Sequence, residues 1–570
     1  MLRRPSPIGT IGAVVARWLP DAAVVAAALA VLAYYARLIT APLPLYAWDE
    51  GGFLICALFS PETVARNGLA AQNNGVFLGL IRMVASLTAD YVVWIRMMNV
   101  VAYFGGLLAI FAVAARALPQ GRWAPWLILA LAFPYYRFVV TDLPEGCYVG
   151  VLGALGLVTA RLWRPRPVLF GLAAGALAAA LVLIKPHGLA AVAGLGGLIA
   201  LDAAAGREWR RPVLRLLAGT GAFFAAGNLF QWAAGQPVAS PLTFFVGRFY
   251  GNILADAIAP GAVGYGLFNL AAMDSTVVLL AGLPLAIGGF DLARRWLRAR
   301  GPMRLEASDL VFVLLAFSLF ATLSMVAIYT MKMAAAPSEM KRLWGRYFEF
   351  FVPMLWLAAA PAVTRWETPA GFRGRAALAA IPLLGLGGLL LCFRAGVVLM
   401  PWDATAVTAF FHADAERFAL AEVIPFRPLA VAATLAVAAG LAAGLRISRL
   451  WPAYVAALGL LSTVFDASAM TGMSVQHAEL AADLRAARPV VAAQVGPAAA
   501  LVSDGNDAAL VFLGFHGRPT VRIRAPDEPA PALPGARLAI TVRTPDLQAP
   551  EWTPVFHGRQ VGVFTRGGPP

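Results

Sequence analysis

The chain has 570 residues, of which 60% are hydrophobic and 13% are charged, and its formal net charge is +15. Soluble globular proteins carry roughly 25% charged residues, so the composition excludes that class. Apolar runs long enough to cross about 30 Å of hydrocarbon recur along the chain, and only helices satisfy the backbone of such runs in lipid. Arginines between the runs follow the positive-inside rule, so the charge does not indicate a nucleic-acid partner.

The first apolar run indicates a signal anchor. It extends from about Asp21 to Ile39 and follows three arginines, which places the N-terminus in the cytoplasm. The sequence from 40 to 93 is then predicted to be a periplasmic loop that contains surface helices. Its apolar piece Val76–Leu87 is short for a span, so we interpret it as interfacial or re-entrant.

Hydropathy predicts twelve further spans, which gives about 13 in all. They cover residues 94–117, 123–140, 148–162, 167–184, 189–201, 212–233, 266–290, 310–330, 347–363, 376–393, 429–445 and 451–471. With this set, nearly every short loop on the cytoplasmic side is rich in arginine. A span at 76–87 would invert the alternation and place the arginine clusters outside, so the charge pattern excludes it.

The composition changes from about Ser474. Apolar runs shorten to strand length, and prolines and glycines separate them. The runs are 500–502, 509–515, 520–523, 537–542 and 560–564. We therefore predict a polytopic α-helical transmembrane domain over 1–473 and a small periplasmic mixed α/β domain over 474–570. The sequence shows no internal repeat of the kind that is common in transporters.

Four carboxylates are predicted to lie on the periplasmic side near the membrane surface. Asp49 and Glu50 follow the first span, and Asp142 and Glu145 follow the third. Ionisable residues at this depth indicate a functional site. Transfer of a group onto a hydroxyl needs a base that accepts the proton, and carboxylates also orient sugar hydroxyls. The structural alternatives are a solvated interfacial charge for the pair and, for Asp142, a cap on the helix that begins near Pro144.

Cationic side chains on the same side are the second signal. Lys341, Arg342 and Arg346 break the positive-inside trend, which indicates an anionic ligand such as a phosphate leaving group. The alternatives are a loop that binds anionic lipid headgroups and, for Lys185, a helix–helix turn with a snorkelling lysine. The candidate phosphate ligands are Lys185, His187, Arg248, Lys341, Arg342, Arg346 and Tyr347.

The sequence has no clear metal-binding pattern. Its three cysteines are scattered, and no cluster of His, Cys and Asp has the spacing of a ligand set. His187 alone is weak evidence for a metal. No cofactor is predicted with certainty, and a divalent metal is left open.

The order and sidedness of these motifs resemble the GT-C superfamily, most closely its bacterial protein O-mannosyltransferase and lipid A aminoarabinose transferase types. The matching motifs lie within roughly residues 20 to 365 and are Trp48-Asp49-Glu50, Trp94–Met97, Pro144-Glu145, Leu183–Gly188 and Gly345-Arg346-Tyr347. Two departures stand out. The family usually has Pro-Asp where this chain has Pro144-Glu145, and Gln72-Asn73-Asn74-Gly75 replaces its glutamate–lysine–proline element.

The resemblance implies an inverting glycosyltransferase in the bacterial inner membrane, active on the periplasmic face. The donor would be a sugar on a polyprenyl phosphate, and the acceptor a glycolipid, a polysaccharide or a protein. Asp49 would be the preferred base, Glu50 and Glu145 would position acceptor or sugar, and Asp142 is a further acidic candidate. Two alternatives stay open: a transporter or flippase of lipid-linked sugars, and a non-catalytic envelope protein that binds them.

Overall fold

Helices dominate the computed structural model of the chain. It describes residues 26, 29–40, 47–58, 74–119, 123–206, 209–233, 261–299, 303–332, 341–366, 371–397, 406–410, 427–493, 498–502, 521–523, 536–542, 547 and 551–566. For residues 47–50 it describes the backbone alone.

The helices within the described residues are numbered here in chain order. They are α1 (Leu29–Ile39), α2 (Ala47–Leu58), α3 (Gly75–Leu87), α4 (Tyr91–Ala115), α5 (Ala124–Ala132), α6 (Tyr136–Val139), α7 (Glu145–Leu162), α8 (Pro167–Ile184), α9 (Gly188–Gly206), α10 (Arg210–Ala233), α11 (Ala262–Arg298), α12 (Ala307–Lys332), α13 (Phe351–Arg365), α14 (Phe372–Arg394), α15 (Pro428–Ala442) and α16 (Ile447–Ala493). Short 3-10 turns cover Gly345–Tyr347 and Val407–Ala409.

The helices confirm the prediction of a polytopic helical membrane protein. Among the described residues, 8 helices are long and apolar enough to cross a membrane, and five further apolar helices are shorter. Each predicted span overlaps at least one described helix. The segment predicted to be interfacial coincides with α3, a 13-residue helix that is not among those 8. Its position at the interface stays a prediction.

The third predicted span, 123–140, is interrupted. Helix α5 ends at Ala132, Phe133 is extended with ψ 128°, and α6 begins only at Tyr136. Pro134 explains the break, because proline disfavours the helical conformation in the residue before it and donates no N–H of its own. The interruption leaves Tyr135, a fully buried side chain, between the two helices.

The arginine-rich loops meet at one end of the bundle. Arg164, after α7, donates to the carbonyl of Leu305, which precedes α12. Arg295, near the end of α11, binds the carboxylate of Asp309 on α12 with two hydrogen bonds of 2.6 and 2.9 Å. Arg365 at the end of α13 lies 3.7 Å from Asp291 on α11. These contacts join loops that the charge pattern had assigned to the same side.

Glycines let α4 and α7 approach each other closely. A Cβ built on Gly153 of α7 would lie 2.4 Å from the Cα of Gly106 on α4, and one on Gly106 would lie 2.3 Å from the carbonyl oxygen of Val149. Small residues at such contacts are typical of membrane helices, where close packing stabilises association. The two helices also carry the residues that shape the candidate site.

Gly153→Ala is expected to destabilise the protein by about 1–3 kcal/mol, because the added methyl group forces two backbones apart. Gly105→Ala is the matched control, since a Cβ there has nothing within 4 Å. The control should be neutral or slightly stabilising, because alanine favours helix. Thermal unfolding of the two purified variants in detergent measures the difference. Equal unfolding temperatures would contradict the contact.

The C-terminal region forms a five-stranded sheet. The strands are β1 (Ala498–Val502), β2 (Val521–Ile523), β3 (Ala536–Val542), β4 (Trp552–His557) and β5 (Val561–Arg566), in the order β2-β1-β3-β5-β4. β1 is parallel to β2 and β3, and β5 is antiparallel to β3 and β4. The prediction that the C-terminal region contains both helix and strand is therefore confirmed. The strand predicted at 509–515 lies outside the described residues.

Two features of this region differ from the sequence reading. β4 was not predicted, because it contains Pro554, and proline is tolerated in strands mainly at a sheet edge, where β4 lies. Helix α16 is continuous across residue 474, where the sequence analysis divides the chain. The carboxylate of Asp483 on α16 accepts the backbone N–H groups of Gln560 and Val561 at 2.6 and 3.1 Å, so this helix joins the bundle to the sheet. The division into two domains stays a prediction.

Candidate active site

An asparagine on α4 shapes the turn that leads into α7. The Nδ2 of Asn99 donates to the carbonyls of Thr141 and Leu143, both at 2.8 Å, and its Oδ1 accepts the N–H of Cys147 at 3.2 Å. All four groups are buried, so each hydrogen bond satisfies a backbone group that has no access to water. The turn is thereby fixed with Glu145 as the first residue of α7.

A buried ion pair forms between that carboxylate and the end of α8. The Nζ of Lys185 lies 2.6 Å from Glu145 Oε1, with side chains 8% and 3% exposed. Lys185 is extended because Pro186 follows it, and this ends the helix. Gly188 then begins α9, and a Cβ there would lie 2.4 Å from the carbonyl carbon of Leu181, so the turn requires glycine. Both predicted site residues are thus in direct contact.

An aromatic stack connects this turn to the Gly345–Tyr347 segment. The imidazole of His187 stacks on the ring of Tyr347 with centroids 4.2 Å apart, and Trp344 stacks on Tyr347 at 5.5 Å. Lys185 Nζ lies 4.3 Å from the centre of the Tyr347 ring, and the Arg346 guanidinium lies 5.0 Å from it. Arg346 also donates to the Tyr347 hydroxyl at 3.0 Å. The side chains of Lys185 and Arg346 therefore both lie next to the phenol ring of Tyr347.

The other predicted cations of this loop lie beside the stack or at a neighbouring helix end. The Arg342 guanidinium covers the ring of Trp344 at 4.0 Å and is buried. Its backbone carbonyl accepts the Nδ2 of Asn269 on α11 at 2.6 Å. The Nζ of Lys341 lies 3.8 Å from the position that a Cβ on Gly396 would occupy, just past the end of α14. The loop thus contacts α11 through a backbone carbonyl, and its Lys341 lies near the end of α14.

Asp142 is in a different setting from Glu145. Its side chain is fully buried, and its carboxylate lies 3.9 Å from Nε of Arg96, which is fully buried too. Arg96 also donates to the carbonyl of Ile39 at the end of α1. The pair therefore ties the turn before α7 to α4 and α1.

Several predicted residues are only partly placed. Asp49 and Glu50 lie in the first turn of α2, but their side chains are outside the description. Arg248 lies outside the described residues altogether. Among the side chains that are described, no three of His, Cys, Asp or Glu are placed to hold a metal ion, and the question of a metal stays open.

Helix α3 connects α2, which carries Asp49 and Glu50, to the turn at Lys185. Arg82 on α3 donates from Nε to the carbonyl of Ala57, near the end of α2, at 2.6 Å. At the other end of α3, the buried side chain of Asn74 donates to the carbonyl of Ile184, the residue before Lys185. The helix that carries Asp49 is therefore joined through α3 to the Glu145–Lys185 pair.

The sequence analysis missed two groups at this site. Glu349, two residues after Tyr347, is a fully buried carboxylate whose Oε2 accepts the N–H of Ala406 at 3.2 Å. The hydroxyl of Tyr135 donates to the carbonyl of Arg346 at 2.7 Å, and its ring stacks on Tyr103. An acidic residue so close to an Arg-Tyr motif was the available signal for Glu349. The break at Pro134 was the signal for Tyr135.

His187 is held neutral. Burial lowers its pKa well below the usual value, and the neighbouring charges of Lys185 and Arg346 lower the pKa further. The imidazole can stack on Tyr347 without adding a third positive charge to the cluster. A neutral imidazole also keeps one nitrogen as a hydrogen-bond acceptor.

The lowered pKa of His187 predicts a loss of stability in acid. The unfolded chain protonates this histidine below about pH 6.5 and the folded chain does not, so the unfolded state gains as pH falls. The loss should reach about 1.4 kcal/mol per pH unit from this residue, while the contribution is constant above that pH. His187→Phe keeps a stacking ring and should flatten the dependence of unfolding temperature on pH between 6.5 and 5. The same slope in both proteins would contradict the inference.

Comparisons with known proteins support the fold. No protein-family model and no curated protein matches the chain in sequence. Among solved structures, ArnT from Cupriavidus metallidurans bound to undecaprenyl phosphate is 15% identical over 95% of this chain and 99% of its own, with a TM-score of 0.51. The arabinosyltransferase EmbB from Mycobacterium smegmatis is 17% identical over 98% of this chain and 46% of its own, with a TM-score of 0.45.

The archaeal oligosaccharyltransferase AglB from Archaeoglobus fulgidus also matches, at 11% identity over 90% of this chain and 69% of its own, with a TM-score of 0.42. The likeness to ArnT extends over nearly the whole of both chains. At this level of identity it establishes the architecture and not the reaction. The resemblance first inferred from short motifs is thus confirmed for the fold, and this multi-pass membrane protein has the GT-C fold.

Proposed function

We propose that the chain is an inverting glycosyltransferase that moves a sugar from a polyprenyl-phosphate carrier to an envelope acceptor. The observation that carries the proposal is the pair of cations, Lys185 and Arg346, beside the Tyr347 ring, with Lys185 also paired to the buried carboxylate of Glu145. It lies at the end of the bundle away from the arginine-rich loops, where the positive-inside rule leaves cations unexplained. ArnT, which shares the fold, was solved with undecaprenyl phosphate bound, and we assign the same class of lipid here.

The cations would stabilise the leaving phosphate. When the bond from the anomeric carbon to the phosphate oxygen breaks, the electron pair stays on the phosphate, and its charge is stabilised by fixed positive groups nearby. Lys185 and Arg346 supply that charge, and the Tyr347 hydroxyl supplies a hydrogen-bond donor between them. Glu145 holds Lys185 in place, so we assign Glu145 a positioning role. Arg342, Lys341 and Arg248 are candidate contacts for the rest of the donor headgroup.

The base would come from α2. Asp49 is the preferred group, with Glu50 beside it in the same turn. As the acceptor oxygen attacks the anomeric carbon, its proton passes to the carboxylate, and a single displacement of this kind inverts the anomeric centre. Asp142 is assigned a structural role, because it is fully buried beside Arg96. The donor sugar and the acceptor, a glycolipid, a polysaccharide or a protein, are left open.

The distribution of charge favours transfer over transport. A transport path needs charged groups along its length through the membrane. Among the described residues, every buried charged side chain lies in a loop or within the first two turns of a helix. These residues are Arg96, Asp142, Glu145, Lys185, Arg215, Asp309, Arg342 and Glu349. We place the active face on the periplasmic side of the bacterial inner membrane.

Mass spectrometry of envelope glycolipids and glycans tests the proposal. A strain that lacks the protein should lose one sugar from an envelope acceptor and accumulate the corresponding polyprenyl-phosphate sugar. Purified protein should then release polyprenyl phosphate from that donor in the presence of the acceptor. If the lipid-linked sugar instead accumulates on one side of the membrane with no sugar missing from acceptors, transport is the correct assignment.

A further inference from the structure

A cavity lies at the arginine-rich end of the bundle, away from the candidate active site. Its volume is about 500 Å³, and it is lined by Gly444, Leu445, Arg446 and Leu450, where α15 ends and α16 begins. The first turn of α14 packs beside it, whereas Lys341 of the candidate site lies near the opposite end of that helix. The lining therefore combines apolar and cationic groups in a region that the proposed reaction does not use.

The backbone at the end of α15 leaves space for a guanidinium group. Gly444 has φ +91°, and its N–H and that of Leu445 bond to the carbonyls of Leu441 and Gly440 at 3.0 and 2.9 Å. This is a Schellman motif, which ends α15 and needs glycine at the left-handed position. The absence of a Cβ leaves room for Arg375, whose Nη1 lies 3.1 Å from the place a Cβ would occupy.

Arg375 is not needed to cap α15. The motif already satisfies two of the last carbonyls of the helix through its own backbone N–H groups. The Nε of Arg375 is buried and has no hydrogen-bond partner among the described residues. A buried donor without a partner costs stability, so a ligand that accepts from this guanidinium would offset that cost.

The described helix segments next to the cavity carry only positive charge. Helices α14 and α15 and the first part of α16, through Phe465, contain no Asp or Glu. The helix ends at this corner carry Arg373, Arg375 and Arg446. An anion that enters the cavity therefore meets arginines without a competing carboxylate from these helices.

We propose that this cavity binds the headgroup of an anionic phospholipid from the leaflet on the arginine-rich side. Arg375 and Arg446 bind the phosphodiester, and Leu445 and Leu450 contact the start of the acyl chains. Basic pockets between membrane helices are suited to such headgroups. The two leucines favour a lipid over free phosphate, because a soluble anion has no acyl chain that could pack against an apolar lining. Leu445 is 54% exposed, which leaves it available to an acyl chain.

Native mass spectrometry of the full-length protein in detergent tests the assignment, with phosphatidylglycerol and phosphatidylcholine as probes. Wild type should retain phosphatidylglycerol in preference to phosphatidylcholine. The double variant Arg375→Gln/Arg446→Gln should bind phosphatidylglycerol about 30-fold more weakly, since each arginine near an anionic surface contributes about a factor of five. Arg446→Gln alone, at an exposed side chain, should weaken binding about fivefold and keeps the test valid if the double variant folds poorly.

The matched control is Arg294→Gln/Arg298→Gln. Both arginines are exposed at the same end of the bundle, on α11, and do not line the cavity. Their replacement should leave the retained phosphatidylglycerol unchanged. An equal loss in control and test variants, or no preference for phosphatidylglycerol in wild type, would overturn the site. Displacement of the lipid by millimolar glycerol phosphate would overturn the choice of a lipid as the occupant.

Discussion

Asp49→Asn is expected to reduce sugar transfer by about 10²–10⁴-fold, the range that a general base contributes. The amide keeps the shape of the carboxylate but accepts no proton from the acceptor hydroxyl. Binding of undecaprenyl phosphate should be retained, because the proposed phosphate ligands lie on other elements. Transfer by purified protein and retention of undecaprenyl phosphate in native mass spectra measure the two effects separately.

Two further variants sharpen the test of Asp49. Glu50→Gln decides between the adjacent carboxylates, since the base is the one whose amide abolishes transfer and the other should cost much less. Asp90→Asn is the control, because Asp90 is an exposed carboxylate just before α4 that the proposed reaction does not use. Full transfer by Asp49→Asn together with its loss in Glu50→Gln would move the base by one residue. Full transfer by both variants would show that neither carboxylate of α2 is the base.

Much of the architecture was predictable because bilayer thickness and charge act on the sequence directly. An apolar run of span length has to be a helix in lipid, so the spans followed from composition. The side of the membrane that arginine assigns to each loop stays a prediction. The interruption at Phe133 was missed because hydropathy averages over a window and hides a single proline. β4 was missed for a related reason, since Pro554 is read as a break unless its place at the sheet edge is known.

The contacts of the site were less predictable than its members. Glu145 and Lys185 were both candidates, but they are 40 residues apart in sequence and no periodicity relates them. Their pairing depends on how α7 and α8 pack in three dimensions. Glu349 was missed although it lies close to an Arg-Tyr motif, because the sequence does not show that its carboxylate is buried and accepts the N–H of Ala406. Sequence thus identified the charged groups, while packing decided which of them touch.

Lys185→Met is expected to impair both activity and folding. Loss of the cation should reduce transfer by about 10²–10³-fold, as for removal of one preorganised group that stabilises a developing charge. Glu145 would remain buried without its partner, which should cost about 3–5 kcal/mol of stability. The expression level in detergent, the unfolding temperature and the transfer rate measure these effects. Because an unstable variant also loses activity, the single substitution does not separate the two roles of Lys185.

The double variant Lys185→Met/Glu145→Leu separates them. Replacing both members of a buried ion pair by apolar residues is often neutral or stabilising, so the unfolding temperature should return to near the wild-type value. Transfer should stay low, because the cation that stabilises the leaving phosphate is still missing. Recovery of transfer with stability would mean that Lys185 only neutralises Glu145, and the phosphate site would then rest on Arg346 and Tyr347.

Glu145→Gln tests the role of the carboxylate by itself. The amide oxygen can still accept a hydrogen bond from Lys185, so the lysine stays in place but without a compensating charge. If Glu145 acts only by positioning, this variant should retain far more transfer than Lys185→Met. A loss as large as that of Asp49→Asn would instead give Glu145 a direct part in the reaction. The three rates together therefore decide whether the buried pair holds the site in shape or performs its chemistry.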